Sequence, residues 1–182
     1  MLNLANKITL LRMLITPVVI ILLYFDEPFT CVLAALCFVF AAFTDWYDGY
    51  VARHENMVTN IGKFLDPLAD KVLICAVLIM FASKQWCPEW VTIIIVCREL
   101  IVTGLRTIAI DEGIVLSADK FGKAKTVTQI LAIIPICLHF EIFGLKLWKL
   151  GEFLLYIAMI LAVFSCIHYC CYFYKQMKQR ET

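Results

Sequence analysis

The chain has 182 residues, 63% of them hydrophobic and only 17% charged, with a mean hydropathy of +0.86. That balance excludes a soluble globular domain and reads as a polytopic membrane protein. A formal net charge of +1 gives no support to nucleic-acid binding, which leaves a strongly basic footprint.

Spans of about 20 apolar residues, the length that crosses a bilayer, can be drawn at 8–25, 30–53, 64–82, 88–110, 120–140 and 150–174. They nearly exhaust the chain, so the expected fold is all-α: one membrane domain over 1–182 with six transmembrane helices. Its chemistry must then be built from helix ends and loops. The first helix places Lys7 and Arg12 before an apolar run, like a signal peptide. No small-residue cleavage site follows and further spans do, so an uncleaved helix is expected. Asn6, Thr9 and Arg12 form N(x)2T(x)2R near its start. Capping by Asn6 and snorkelling of Arg12 explain that pattern as well as ligand binding does.

Across the second and third helices, Asp45 to Asp70 reads D(x)2DG(x)2AR(x)8G(x)3D(x)3D. One Asp in hydrocarbon costs about 3 kcal/mol even on lenient insertion scales, so four together need cations. At 3.6 residues per turn, Asp45, Asp48 and Ala52 share a stripe of the second helix, with Gly49 and Arg53 adjacent at i, i+4. Gly62, Asp66 and Asp70 form a second stripe if the third helix already runs from Gly62. A short turn from His54 to Ile61 would bring both stripes together. Carboxylates on facing helices suit a pair of hard divalent ions, Mg2+ or Mn2+ rather than zinc, placed for an in-line displacement. Gly49, Ala52 and Gly62 leave room for a base or phosphate near the backbone, and Arg53 offers a fork for phosphate oxygens. A plainer alternative makes Asp66 an N-cap before Pro67 and pairs Asp45 and Asp48 with Arg53 or Lys63. It accounts for single aspartates but not for the whole pattern.

The fourth helix carries Arg98, Glu99 and Arg106 in VCRELIVTGLR, and the fifth opens on Lys120, Lys123 and Lys125 around Gly122. Arg98 is deep enough to require a cavity or a partner such as Glu99. Together these residues describe an anion pocket, with Arg98, Arg106, Lys123 and Lys125 as the candidate ligands of a phosphate group. The plainer reading takes the lysines as markers of a cytoplasmic loop. In the sixth helix Cys166, His168, Cys170 and Cys171 superficially resemble a soft-metal site, but the nine cysteines read as small apolar fillers.

An even number of spans puts both termini on one side. Twelve of the 16 basic residues then fall on the terminal side, against Lys84, Lys146 and Lys149 opposite, with Arg98 at depth. By the positive-inside rule both termini are cytoplasmic, and so is an active site at the cytoplasmic ends of helices 2 and 3.

The aspartate motif matches without gap or substitution the signature of the CDP-alcohol phosphatidyltransferases, and the chain resembles that family. The resemblance implies a six-helix membrane enzyme, usually a homodimer, that moves the phosphatidyl group of a CDP-linked lipid to an alcohol and releases CMP. It implies that Asp45, Asp48, Asp66 and Asp70 surround two Mg2+ or Mn2+ ions and that Asp70 is also the base. The resemblance places Gly49, Ala52 and Arg53 in the CDP pocket; Gly62, Asn6, Thr9 and Arg12 are further candidates there. FLDPLADKVL, CREL with Arg106, and GK(x)KT look like the family's bacterial branch that uses CDP-diacylglycerol and glycerol 3-phosphate. Another acceptor, such as phosphatidylglycerol, serine or an inositol compound, remains an alternative. A divalent-cation or proton-coupled transporter would need polar groups reaching the far side. No transit peptide is visible, which favours a bacterial cytoplasmic membrane.

Overall fold

The structure is a computed structural model that describes residues 4–55, 60–111, 120–141 and 144–181, with side chains described for 11–44, 71–109, 122–141 and 144–178. Among the described residues it contains six helices and no strand: α1 (Leu4–Phe25), α2 (Pro28–Glu55), α3 (Asn60–Ser83), α4 (Glu89–Asp111), α5 (Lys120–Cys137) and α6 (Leu147–Glu181). All-helical architecture follows from long apolar runs whose backbone groups are satisfied within each helix.

Observed helices outlast the expected spans wherever polar residues continue the turn. Helix α2 reaches Glu55 and α3 starts at Asn60, so the expected turn from His54 to Ile61 is shorter, and only 56–59 lie outside the described residues. Helix α6 runs on to Glu181 rather than 174, since its polar end KQMKQRE is composed of good helix formers. Helix α5 ends at Cys137, short of the expected 140, two residues after Pro135. Continuity of α3 from Asn60 places Asp66 inside the helix, so it is not an N-cap.

Helices α1 and α2 are joined through Asp26, which takes the left-handed φ of 58°, and Pro28 opens α2 where no amide is needed. The Glu27 amide donates to Thr30 Oγ1 at 3.2 Å, and the Thr30 hydroxyl donates back to the Glu27 carbonyl at 3.0 Å. Lys84, after α3, ties that corner by donating to the Tyr24 carbonyl at 3.1 Å and pairing with Asp26 at 3.2 Å. At the same end His139 stacks on Trp86, with ring centres 4.5 Å apart, and meets Trp148 at 4.8 Å.

The core combines alanines and branched aliphatics with two fully buried phenylalanines, including Ala34, Phe38, Val77, Phe81, Ile95, Ile133 and Leu155. Helices α5 and α6 pack closely at Gly151. A Cβ on Gly151 of α6 would stand 2.7 Å from the Ala132 carbonyl oxygen and 2.6 Å from Ile136 Cγ1. Outside, Leu14, Phe29, Phe43, Ile93, Leu100 and Phe164 are each at least 60% exposed, while Arg12, Arg98, Glu99, Lys125 and Gln129 are buried. Polar groups inside and large apolar groups outside invert the usual arrangement in water. Among the described residues, Leu147–Lys178 is long and apolar enough by itself to cross a bilayer; Leu11–Phe25, Pro28–Thr44 and Lys71–Ser83 are shorter apolar stretches.

Candidate active site

Asp45, Asp48, Gly49, Ala52 and Arg53 fall in the last turns of α2, and Gly62, Asp66 and Asp70 in the first turns of α3. Helical backbone at both places keeps the spacing on which the two expected stripes depend. Their side chains, and those of Asn6 and Thr9 in α1, lie outside the described residues. Arg12 is described and does not snorkel outward: it is 4% exposed and borders a small cavity of about 30 Å³ with Phe38, Leu73, Thr126 and Ile130. Its backbone carbonyl accepts from Thr16 Oγ1 at 3.0 Å.

A larger cavity, about 490 Å³, opens at this end of the bundle, where α3 starts, α4 ends and α5 starts. It is lined by Lys71 from α3, Arg98, Glu99 and Arg106 from α4, Lys123 from α5 and Tyr169 from α6. Among the described residues, four cationic side chains thus meet one carboxylate, and that carboxylate is already engaged. Glu99 accepts from Arg98 Nη1 at 3.3 Å and from Lys125 Nζ. Arg98 also donates to Ser165 Oγ at 2.8 Å. The excess charge of these described side chains is positive, and guanidinium and ammonium donors converge on a space open enough to admit a small anion.

Three of the four expected acceptor ligands, Arg98, Arg106 and Lys123, are therefore brought together. The fourth, Lys125, is 2% exposed and donates to Glu99 beneath them. Sequence reasoning counted Lys71 only as a cytoplasmic charge. It follows Asp70 directly, lines the cavity and donates to Thr103 Oγ1, whose own hydroxyl donates to the Glu99 carbonyl at 2.6 Å. Tyr169 was missed as well, and its phenol oxygen accepts from Arg106 Nη2 at 3.1 Å. The available signal was a pair of hydroxyls, Ser165 and Tyr169, one turn apart in an apolar helix.

A second sizeable cavity, about 720 Å³, lies at the opposite end among Trp86, Trp90, His139, Trp148 and Glu152. None of the expected site residues borders it.

The family described as CDP-alcohol phosphatidyltransferase matches residues 2–164. A Bacillus subtilis protein named CDP-diacylglycerol–glycerol-3-phosphate 3-phosphatidyltransferase is 41% identical over 177 residues, covering 91% of this chain and 92% of its own. Proteins of the same name from Rickettsia typhi and Haemophilus influenzae are 36% and 34% identical, each alignment covering 92% of this chain and 94% and 91% of theirs.

Proposed function

Because the chain belongs to the CDP-alcohol phosphatidyltransferase family, we propose that it transfers the phosphatidyl group of CDP-diacylglycerol to the 1-hydroxyl of sn-glycerol 3-phosphate, giving phosphatidylglycerophosphate and CMP. The relatives' names support both substrates. The single observation that carries the acceptor is the cavity in which Lys71, Arg98, Arg106 and Lys123 gather next to the helix that bears Asp70. A neutral alcohol would leave those cations without the phosphate they suit.

In this reading Arg98, Arg106, Lys123 and Lys71 hold the acceptor phosphate, and Lys125 balances Glu99 so that the carboxylate does not repel it. Asp70 takes the proton from the 1-hydroxyl, the freed oxygen forms a bond to the lipid-side phosphorus, and the bond to the CMP oxygen breaks. Gly49, Ala52 and Arg53 bind the nucleotide end, with Gly62, Asn6, Thr9 and Arg12 alongside. Two pairs of carboxylates at helical spacing, on the end of α2 and the start of α3, are an all-oxygen donor set that fits hard divalent ions. Asp45, Asp48, Asp66 and Asp70 would hold two Mg2+ or Mn2+, whose chemistry is to neutralise the pyrophosphate and the departing CMP oxygen.

All six helices cross the membrane in this proposal, with both termini and the site on the cytoplasmic side of a bacterial membrane. The basic bias toward that end and the inverted polarity of the bundle support it. We also take the enzyme to be a homodimer, on the family resemblance. Native mass spectrometry from nanodiscs tests the dimer, and protease access to a carboxyl-terminal tag in oriented vesicles tests the topology.

The deciding experiment supplies the purified full chain with CDP-diacylglycerol, Mg2+ and a panel of acceptors. CMP should appear fastest with glycerol 3-phosphate and should stop on chelation. Equal rates with serine, inositol or phosphatidylglycerol would sink the acceptor assignment, and no CMP with any acceptor would sink the transfer itself.

A further inference from the structure

Ser165 and Tyr169 are buried on α6, 0% and 5% exposed. Each meets one acceptor arginine: Arg98 Nη2 donates to Ser165 Oγ at 2.8 Å and Arg106 Nη2 to the Tyr169 phenol oxygen at 3.1 Å. At a rise of about 1.5 Å per residue, the arginines leave α4 about 12 Å apart, whereas the two hydroxyl-bearing residues sit about 6 Å apart on α6. Two long side chains are thus gathered from a wide base onto a narrower pair of anchors. Gly122 of α5 packs beside this junction, where a Cβ would stand at ordinary contact distance, 3.6 Å from Ser165 Oγ and 3.9 Å from Arg98 Nη2.

We propose that Ser165 and Tyr169 are positioning residues that focus Arg98 and Arg106 on the acceptor phosphate and so help select a phosphate-bearing alcohol. The inference rests on the glycerol 3-phosphate reading and deepens it. An untethered arginine must give up rotamer freedom when its ligand arrives; one already tied to a buried hydroxyl gives up less, so the ligand binds more tightly.

Tyr169→Phe removes the phenol oxygen and little else. It should raise KM for glycerol 3-phosphate about 3- to 10-fold, the size of one ordinary net hydrogen bond because the tether acts on the ligand only through the guanidinium, and leave KM for CDP-diacylglycerol within about twofold. Adding it to Arg106→Ala should cost nothing further, because its effect runs through that guanidinium. Ser165→Ala should repeat the pattern through Arg98. An unchanged acceptor KM in Tyr169→Phe, an equal rise in the lipid KM, or full additivity with Arg106→Ala would each overturn the positioning role. If instead the wild-type protein uses phosphate-free acceptors as fast as glycerol 3-phosphate, it is the acceptor reading that fails.

Discussion

Two glycines in helix interiors should respond to the same substitution in opposite directions. At Gly151 an added methyl group would lie 2.6 Å from Ile136 Cγ1, 2.7 Å from the Ala132 carbonyl oxygen and 3.0 Å from the Ile136 amide nitrogen. Two of those three atoms are backbone, so no rotamer change relieves the contact and α5 must move away from α6. Overpacking of this kind costs about 1–3 kcal/mol, against a gain of about 1 kcal/mol from replacing a helical glycine by alanine. Because the contact falls on backbone, the upper part of the overpacking range applies, and Gly151→Ala should lose about 1–2 kcal/mol net. At Gly104 in α4 nothing lies within 4 Å of the new atom. Gly104→Ala should therefore be neutral or up to about 1 kcal/mol more stable. Thermal unfolding of both variants in one detergent, with the wild type alongside, measures the difference. Equal midpoints, or a Gly151→Ala protein as stable as the wild type, would refute the close packing of α5 on α6.

Other outcomes follow from the site and its surroundings. Asp70→Asn should lower kcat about 10²- to 10⁴-fold with an unchanged unfolding midpoint, since it removes the proton acceptor together with one proposed metal ligand and leaves the side-chain shape intact; turnover near wild type would remove Asp70 from the base role. Arg106→Ala should raise KM for glycerol 3-phosphate about 10- to 100-fold, more than KM for the lipid donor, as expected for a charge-assisted contact. A change confined to the lipid parameter would mean the anion pocket is misplaced. Burial lowers the pKa of His139 in the α5–α6 connection from its ordinary 6.5, against the opposing pull of Asp26 and Glu152 and with the help of Lys84. The unfolded chain therefore takes up that proton first as pH falls. Stability owed to the neutral ring is complete above 6.5 and declines through the interval below it, until the folded ring is protonated too. Acid-dependent loss of the unfolding midpoint should flatten in His139→Phe; an identical pH profile would assign it elsewhere.

The helices and the aspartate motif were readable from the chain because both are local. Apolar length declares a helix, and Asp45 to Asp70 spans two consecutive helix ends with a short connection between them. Helix limits were less legible: α2, α3 and α6 continue through Glu55, Asn60 and Glu181 because polar residues extend a helix that has left the apolar window. The anion cavity was legible in part. Arg98 and Arg106 stood out as charges in an apolar helix, and Glu99 was a foreseeable partner for Arg98. The placement of Lys71 and Tyr169 depends on α3 and α6 meeting α4, contacts separated by 32 and 63 positions, and no short pattern encodes them. Lys125 illustrates the same limit, since its charge was visible but its burial against Glu99 was not.

The stacking of Trp86, His139 and Trp148 bears on how this protein can be observed. Of its four tryptophans, Trp86, Trp90 and Trp148 border the cavity opposite the basic one, and the fourth, Trp46, lies between Asp45 and Asp48. The tryptophans themselves are distributed three to one toward the far end of the bundle. A variant could lose the order of its anion pocket while its fluorescence melt barely changed. Replacing Trp46 by phenylalanine would make the remaining signal a reporter of the far end alone, and the difference spectrum would isolate the region where the metals and nucleotide are proposed to bind.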